Sequence, residues 1–183
     1  MSARIVLLNG VGSAGKGSIA KALQQIASEP FLHVEMDAFL DMLPPASWDH
    51  PEGLRFETLE QDGKPAIAIH SGPVVERALD GMRRAVAAMA AAGNNLIVDE
   101  VMEHETMAEY VRLLRDFKLY RVGVFASLEA LEARERRRGD RLVGLARWQY
   151  PRIHAGQSYD LEIDTSTATP AQCAEKIKAA FGL

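Results

Sequence analysis

The chain lacks the features that would mark it as a secreted or membrane protein. It has a single cysteine, Cys173, so no intrachain disulfide can form, and this favours a reducing compartment. The first apolar run covers only residues 5–8, too short for a secretory signal, and the longest, residues 85–92, is far below a membrane span. We therefore expect a cytoplasmic protein with no membrane partner.

The chain also has fewer basic than acidic residues. The chain carries 21 lysines and arginines against 25 aspartates and glutamates, for a net charge of −4, and its pI is about 5.8. Nucleic acids and anionic membranes bind basic surfaces, so this balance argues against a nucleic-acid partner. The five histidines show no metal-ligand spacing with one another or with Cys173.

Short apolar runs alternate with helical patterns along the 183 residues. Buried strands are predicted at residues 4–8, 32–36, 96–98, 120–125 and 159–163. Helices are predicted over residues 16–27, 75–89, 107–117 and 170–181, with another beginning near Ser127. Thr169 and Gln172 form a predicted capping box for the last helix. The alternation favours one α/β domain, residues 1–183, in which helices cover both faces of a parallel sheet.

Residues 44–73 interrupt this alternation. The segment holds five of the eight prolines together with three glycines. We expect irregular structure here, with a short hairpin near residues 66–70. Long irregular stretches within a compact domain are often lids or binding loops, so a ligand-binding role is predicted for the segment.

A glycine-rich segment follows the first strand and opens the first helix. Residues 10–16, Gly-Val-Gly-Ser-Ala-Gly-Lys, fit the first seven positions of the phosphate-binding loop (P-loop). Glycines there let backbone N–H groups converge on phosphate oxygens, and the lysine supplies a charge to the β- and γ-phosphates of a nucleotide. The alternative is a glycine-rich turn without a ligand. The predicted nucleotide-binding residues are Gly10, Gly12, Ser13, Ala14, Gly15, Lys16, Gly17 and Ser18.

The residue after Lys16 departs from this pattern. P-loops have serine or threonine there to hold Mg²⁺, but this chain has Gly17 and then Ser18. The order Gly-Lys-Gly-hydroxyl resembles that of adenylate kinases, in which the loop works with the same exchange. Ser18 is therefore a predicted ligand of Mg²⁺, either directly or through water.

Acidic residues follow three of the predicted strands: Asp37, Asp99-Glu100 and Asp164. Residues 95–99 are typical of a Walker B strand, which predicts Asp99 as a second group near Mg²⁺; the alternative is a helix-capping aspartate. Glu100 either orients water or forms a salt bridge. Because ligands of an open α/β sheet lie beyond the carboxyl ends of its strands, we expect both side chains near the P-loop.

Asp37 is the predicted general base. A kinase that acts on an alcohol needs a carboxylate to accept the hydroxyl proton, and Asp37 lies between the second strand and a predicted helix at residues 38–43. It is also placed to be the N-cap of that helix, and the two roles are compatible. Asp41 lies one helical turn further on, either in an acceptor pocket or on the surface.

Five arginines lie between residues 134 and 141, the predicted lid. Arginines can hold phosphates, neutralise transition-state charge or stack on adenine, although a basic run is also typical of a solvated helix face. Arg134, Arg138 and Arg141 are four and three residues apart and share one face, so we predict that they contact the nucleotide. Arg136 and Arg137 are assigned to solvent.

Together these segments resemble the chloramphenicol phosphotransferase family of P-loop kinases, over most of the chain. The segments around Asp37 and around residues 138–141 are the specific ones, since many proteins share the P-loop and Walker B segments. The resemblance is carried by residues 5–16 (IVLLNGVGSAGK), 36–44 (MDAFLDMLP), 97–101 (IVDEV), 134–135 (RE) with 138–141 (RGDR), and His154, Gly156, 159–160 (YD) and 164–165 (DT).

The resemblance implies a P-loop kinase fold: a three-layer sandwich with a five-stranded parallel sheet and an arginine-rich lid. It implies ATP and Mg²⁺ as cosubstrates and transfer of the γ-phosphoryl group to a primary hydroxyl of a small molecule. It carries over Asp37 as the base, Lys16 as the phosphate clamp, and Arg138 and Arg141 as nucleotide-side residues. Antibiotic-modifying members have serine after the P-loop lysine, where this chain has Gly17.

Three functions remain open on the sequence. The first is phosphotransfer to a neutral, hydroxyl-bearing acceptor like chloramphenicol; Trp48 and Phe56 either offer it aromatic surface or are ordinary core or lid packing. The second is a nucleoside monophosphate kinase, whose acceptor phosphate needs arginines, although Arg55 is the only one between residues 31 and 70. The third is an NTPase or nucleotide-gated binding module, which needs no base. A symmetric homo-oligomer through a helix face is compatible with the sequence.

Overall fold

The chain folds around a sheet of five parallel strands. The computed structural model describes residues 2–139 and 142–183. In that part of the chain the strands are β1 (Arg4–Asn9), β2 (Phe31–Glu35), β3 (Leu54–Gln61), β4 (Lys64–Ser71), β5 (Asn95–Glu100), β6 (Lys118–Phe125) and β7 (Leu161–Asp164). Five of them form the parallel sheet in the order β2-β5-β1-β6-β7, and β3 and β4 form a separate antiparallel pair. The predicted five-stranded parallel sheet is confirmed, and β1, which precedes the P-loop, lies at its centre.

Helices cover both faces of this sheet and complete three layers. In the described residues the α-helices are α1 (Lys16–Ile26), α2 (Met36–Leu40), α3 (Pro73–Ala91), α4 (His104–Leu113), α5 (Leu128–Arg138), α6 (Leu145–Gln149) and α7 (Pro170–Phe181). Side chains of β1 alternate between the faces: Val6 and Leu8 pack with α1 and α7, and Ile5 and Leu7 pack with α3 and α4. All four are fully buried, as expected for a central strand of a parallel sheet.

The prediction of irregular structure over residues 44–73 is wrong for most of that segment. Strands β3 and β4, of eight residues each, pair along their whole length as a hairpin. Its two-residue loop is Asp62-Gly63, with φ of 53° and 70°, the left-handed conformations that a type I′ turn needs. Proline was a misleading signal, because both strands are edge strands and Pro65 is tolerated at such an edge.

The structure also moves the boundary between β2 and the helix that follows. The strand ends at Glu35, one residue earlier than predicted, and α2 begins at Met36 instead of residue 38. Asp37 is therefore the second residue of α2, and the N-cap position predicted for it belongs to Glu35. This correction separates Asp37 from a capping role and leaves its carboxylate to other partners.

The last helix begins as predicted. Thr169 Oγ1 accepts a hydrogen bond from the Gln172 backbone N–H, and the Gln172 carboxamide oxygen accepts one from the Thr169 N–H. This reciprocal capping box satisfies two donors that a helix N-terminus otherwise leaves without partners. In the described part of the chain, none of the helices has the length and hydropathy of a bilayer-spanning segment.

Candidate active site

The P-loop joins the centre of the sheet to α1. Ser13 has φ of 66° and Gly15 has φ of 92°, and left-handed residues of this kind turn successive backbone N–H groups toward one concave surface. Ser13 Oγ is buried in this turn, with no hydrogen-bond partner among the described residues. A concave ring of N–H donors beside a buried, unsatisfied hydroxyl is suited to phosphate oxygens.

Lys16 closes the P-loop from inside. Its ammonium group donates to the carbonyl oxygens of Gly10, at 2.8 Å, and Val11, at 3.3 Å. It also lies 3.7 Å from Asp99 Oδ1, and its side chain is only 7% exposed. The structure therefore brings the predicted phosphate clamp and the predicted Walker B carboxylate together, where low exposure strengthens their interaction.

The first turn of α1 carries the two residues that depart from the P-loop pattern. Gly17 faces the sheet edge, since a Cβ at this position would lie 3.2 Å from Asp99 Oδ2. Ser18 is exposed to solvent on the same turn. A serine or threonine at position 17, as in other P-loops, would therefore point its side chain toward Asp99.

Glu100, next to Asp99 on β5, has very different surroundings. It is 2% exposed; its carboxylate accepts a 2.7 Å hydrogen bond from the Tyr110 hydroxyl and lies 3.8 Å from Arg83. Burial raises the pKa of Glu100 to about 7, in spite of the opposing effects of Tyr110 and Arg83. A carboxyl group that titrates near neutrality at a cleft can exchange a proton with a ligand.

Arg134 supports the P-loop from behind. Its guanidinium donates to the carbonyl oxygen of Ser13 at 3.4 Å, to Thr165 Oγ1 at 3.0 Å and to the Thr165 carbonyl at 2.5 Å. Thr165 Oγ1 in turn donates to the Ala14 carbonyl at 2.9 Å. The structure thus places this predicted nucleotide-binding residue against the backbone of the loop, linking it to the end of β7.

The remaining arginines of the cluster diverge. Arg138, the last residue of α5, faces the cleft described below, and Arg136 and Arg137 are exposed, in line with the prediction that they face solvent. Gly139 ends the helix in a left-handed conformation, with φ of 71°. Arg141, predicted to share a face with Arg134 and Arg138, lies outside the described residues.

Helix α6 brings to the P-loop a residue that sequence reasoning missed. Gln149 Oε1 accepts a 2.8 Å hydrogen bond from the backbone N–H of Gly12. The helix is held by the buried carboxylate of Glu135, which accepts from the N–H groups of Gly144, at 3.1 Å, and Ala146, at 2.6 Å. A five-residue helix has too little periodicity to be predicted, and only the fold shows where Gln149 reaches.

An aromatic group braces the other side of the loop. Asn9 Nδ2 donates to the Tyr159 hydroxyl oxygen at 2.9 Å, so the hydroxyl proton is directed to Nδ1 of His154, 2.7 Å away. His154 stacks on Phe125 with ring centroids 3.9 Å apart. Burial lowers the pKa of His154 to about 4, which keeps the ring neutral as this hydrogen bond requires.

A cleft of about 850 Å³ opens beside the P-loop. Its apolar wall contains Trp48 and Phe56, whose rings stack with centroids 6.4 Å apart. Its described lining residues are Gly12, Met36, Asp37, Leu40, Asp41, Trp48, Leu54, Phe56, Ile69, Ser71, Val75, Glu76, Leu79, Arg83, Glu100, Val101, Glu103, Glu105, Thr106, Arg138, Leu142, Leu145, Trp148, Gln149 and Ile153. The cleft is large enough for a drug-sized molecule.

The cleft gathers residues from distant parts of the sequence. Asp37, half-buried on α2, and Asp41 line it together with Gly12 of the P-loop and Arg138 of the predicted lid. Sequence reasoning missed Arg83, which lies on α3 and pairs with Glu100 and, at 2.6 Å, with Glu109. In the sequence, Arg83 is one of several charged residues of an amphipathic helix, and nothing marks it as part of a site.

Comparison with known proteins agrees with this geometry. A family model described as chloramphenicol phosphotransferase-like protein matches residues 3–182. The chain is 37% identical over 173 residues to a Mycobacterium tuberculosis (strain ATCC 25618 / H37Rv) protein named "Putative O-phosphotransferase Rv2636". The match covers 91% of this chain and 76% of that relative.

Solved structures of kinases share the fold at low sequence identity. The Mycobacterium tuberculosis APS kinase CysC, in complex with AMPPNP and APS, matches with a TM-score of 0.69 at 13% identity, covering 100% of this chain and 99% of that one. The Deinococcus radiodurans tunicamycin resistance protein matches with a TM-score of 0.67 at 20% identity, covering 99% and 96%. The chain is therefore a phosphotransferase with a P-loop kinase fold, and it belongs to the chloramphenicol phosphotransferase-like family.

Proposed function

We propose that the chain transfers the γ-phosphoryl group of ATP to a hydroxyl group of a small molecule bound in the cleft, with a chloramphenicol-like acceptor preferred. The observation that carries the proposal is that residues of the predicted nucleotide site and the predicted base line one cleft. Gly12, from the predicted nucleotide site, and Asp37, the predicted base, line the same cleft. An NTPase or nucleotide-gated module would need no base on the acceptor side of the cleft.

The walls of the cleft favour a neutral acceptor with an apolar part. Trp48 and Phe56 offer stacked aromatic surface, and Leu54, Ile69 and Val75 extend the apolar wall. A hydroxylated compound with an aromatic ring, such as chloramphenicol, matches this combination.

The charged groups of the cleft disfavour a phosphorylated acceptor. On the acceptor side Arg83 lies among carboxylates, 3.8 Å from Glu100 and 2.6 Å from Glu109, so its charge is already compensated. Binding a second phosphate there would require those ion pairs to break. This ranks a nucleoside monophosphate kinase below a kinase of neutral alcohols.

The chemistry assigned to the chain is an in-line displacement. The acceptor hydroxyl passes its proton to the Asp37 carboxylate, its oxygen forms a bond to the γ-phosphorus, and the bond from that phosphorus to the β–γ bridging oxygen breaks, releasing ADP. Lys16 and the N–H groups of residues 10–18 hold the phosphates, and Arg138 and Arg141 offset the charge that develops.

A divalent ion at this site would be held on the sheet side by Asp99, with Ser18 as the second predicted ligand. When bound, the ion supplies positive charge to the phosphate oxygens. The fit of the site to such a group rests on the Asp99 carboxylate at the end of β5, which lies 3.7 Å from the Lys16 ammonium group.

The test is ADP release by the purified chain with ATP and Mg²⁺, with and without chloramphenicol, combined with mass spectrometry of the acceptor. We expect acceptor-dependent turnover and an acceptor 80 Da heavier, the mass of one added phosphoryl group. Asp37→Asn should lower kcat by roughly 10²- to 10⁴-fold, since it removes the general base. Asp116→Asn, a change at an exposed carboxylate remote from the cleft, should leave kcat unchanged.

Two outcomes would contradict the proposal. ATP turnover that is independent of any acceptor and survives Asp37→Asn would identify an NTPase. Faster transfer to a nucleoside monophosphate than to any neutral alcohol would show that the ion pairs of Arg83 give way to an acceptor phosphate.

A further inference from the structure

Three side chains that could bind a metal ion meet at the carboxyl ends of β2 and β5. Glu35 and Asp99 are directly opposed in the parallel register of these strands, and His33 lies two residues before Glu35, on the same face of β2. One ligand atom from each of the three lies within 4.8 Å of the other two. Spacing along the sequence gave no sign of this group, because its members come from two strands.

The histidine in this group has an unmet bonding requirement. Its side chain is 9% exposed, and Nε2 is a buried atom without a hydrogen-bond partner among the described residues. Asp99 Oδ2 lies 3.7 Å from Nε2, too far for a hydrogen bond. A buried nitrogen without a partner is costly, and such atoms in native proteins call for an explanation such as an ion.

The three groups are close enough to share an ion, since one ligand atom from each lies within 4.8 Å of the other two. His33 Nδ1 lies 3.4 Å from Glu35 Oε1, whereas the other ring nitrogen, Nε2, lies 3.7 Å from Asp99 Oδ2, and only one of these nitrogens can bind a given ion. Two ligands that each lie about 2.1 Å from one ion are themselves roughly 3.0–3.5 Å apart at octahedral and tetrahedral angles. Coordination through Nε2, the nitrogen without a partner among the described residues, therefore requires the Glu35 carboxylate to rotate toward Nε2 and Asp99 Oδ2.

Gly17 explains why the ligands come from β2. A Cβ at position 17 would lie 3.2 Å from Asp99 Oδ2, 3.3 Å from Glu35 Oε1 and 4.0 Å from His33 Cε1. The glycine therefore leaves room next to these groups at the position where other P-loops place a hydroxyl. Asp99 is shared, since its Oδ1 faces Lys16 and its Oδ2 faces His33.

We propose that His33, Glu35 and Asp99 bind a divalent first-row transition-metal ion beside the P-loop. Mg²⁺ prefers an all-oxygen shell, whereas an imidazole nitrogen with two carboxylates suits ions such as Mn²⁺, Fe²⁺, Co²⁺ or Zn²⁺. Assigning this ion to the nucleotide reaction rests on the proposed function. Binding of the ion by the three side chains does not.

The test uses Mn²⁺ as the probe on the nucleotide-free full chain. Electron paramagnetic resonance counts free Mn²⁺ during a titration, and electron spin-echo modulation of the bound ion detects a directly bonded ¹⁴N nucleus. We expect one bound Mn²⁺ with nitrogen coupling, and we expect a tenfold excess of Mg²⁺ to leave most of it bound. Glu35→Gln should weaken binding at least tenfold, and His33→Gln should abolish the nitrogen coupling.

The matched control is His50→Gln, a change at an exposed histidine between α2 and β3, which should change neither signal. Circular dichroism melting checks that His33→Gln folds, and Glu35, more than a third exposed, gives a second variant that need not disturb packing. Bound Mn²⁺ without nitrogen coupling, insensitivity to Glu35→Gln, or displacement by equimolar Mg²⁺ would each overturn the proposal.

The result is separable from the fate of the proposed function. Nitrogen-coupled Mn²⁺ in a chain that phosphorylates no acceptor would leave the metal site in place and refute the proposed reaction. Phosphotransfer with Mg²⁺ in a chain that binds no nitrogen-coupled Mn²⁺ would support the proposed reaction and refute the metal site.

Discussion

The nucleotide edge and the acceptor wall of the cleft are built in opposite ways. At the nucleotide edge, buried polar groups are fixed by hydrogen bonds to backbone: Lys16 to Gly10 and Val11, and Arg134 to Ser13 and Thr165. The acceptor wall is formed by apolar side chains of α2, α3 and the β3–β4 hairpin, and many residues of that hairpin are exposed. Directional bonds allow little variation in the first region, whereas apolar packing without direction allows other side chains in the second.

The two regions are nevertheless joined through α6. The hairpin donates to this helix or its N-cap at two points, Ile67 N–H to the Gly144 carbonyl at 3.1 Å and Gln61 Nε2 to the Arg147 carbonyl at 3.2 Å. The same helix carries Gln149 to the Gly12 N–H. If the two regions are independent, a variant in one of them should change the binding of only one substrate. A variant that changes the binding of nucleotide and acceptor equally would show that they are not independent.

The largest effect is expected at the nucleotide edge, from Arg134→Met. The change removes the charged donors that hold the Ser13 and Thr165 carbonyls, and hydrogen bonds to charged groups are each worth about 1.5–3 kcal/mol. We expect nucleotide affinity, measured by calorimetry, to fall roughly 10²-fold with little change in acceptor KM. Arg136→Met, two residues along the same helix and exposed, should leave both unchanged. An equal loss of acceptor affinity would show that the regions are not independent.

The second effect concerns stability at the same edge. His154 is neutral in the folded chain, with its pKa lowered to about 4 by burial, and the unfolded value is 6.5. The unfolded state therefore binds more protons between these values, so the free energy of unfolding falls as pH drops from 6.5 to 4, by about 2 kcal/mol after allowance for partial exposure.

His154→Gln should reduce this pH dependence by the same amount, as measured by urea unfolding at a series of pH values. His50→Gln provides the control, since this exposed ring should not contribute. A wild-type stability that is flat between pH 6.5 and 4 would refute the assignment of His154 as a neutral brace of the P-loop.

The smallest effect is expected on the acceptor wall, from Trp48→Ala. Trp48 is 41% exposed and stacks on Phe56, so its loss should raise acceptor KM about tenfold and leave nucleotide KM unchanged, since aromatic contacts are worth about 0.5–1.5 kcal/mol. Leu59→Ala, a change at an exposed residue of β3 that does not line the cleft, should change neither constant. Steady-state kinetics in both substrates makes the measurement, and a larger rise in nucleotide KM would contradict it.

The nucleotide side could be predicted because its signals are local. The P-loop glycines, the apolar run before Asp99 and the capping box at Thr169 each depend on neighbours within a few residues of the chain. The acceptor side could not be predicted in the same way, because its residues come together from distant parts of the chain. Its hairpin was obscured by prolines although Asp62-Gly63 signalled the turn, and Arg83 and Gln149 reach the cleft only through the packing of α3 and α6.

The sequence by itself determined the alternation of strands and helices, the P-loop at the end of the first strand and the carboxylates at strand ends, because these follow from periodicity and backbone conformation. Only the tertiary structure decided which other residues lie next to them. It placed Asp37 in the same cleft as Gly12, buried Glu100 beside Tyr110, and set His33 and Glu35 against Asp99 in the space left by Gly17. Such meetings depend on strand order and register, which bring together residues more than 60 positions apart in the chain.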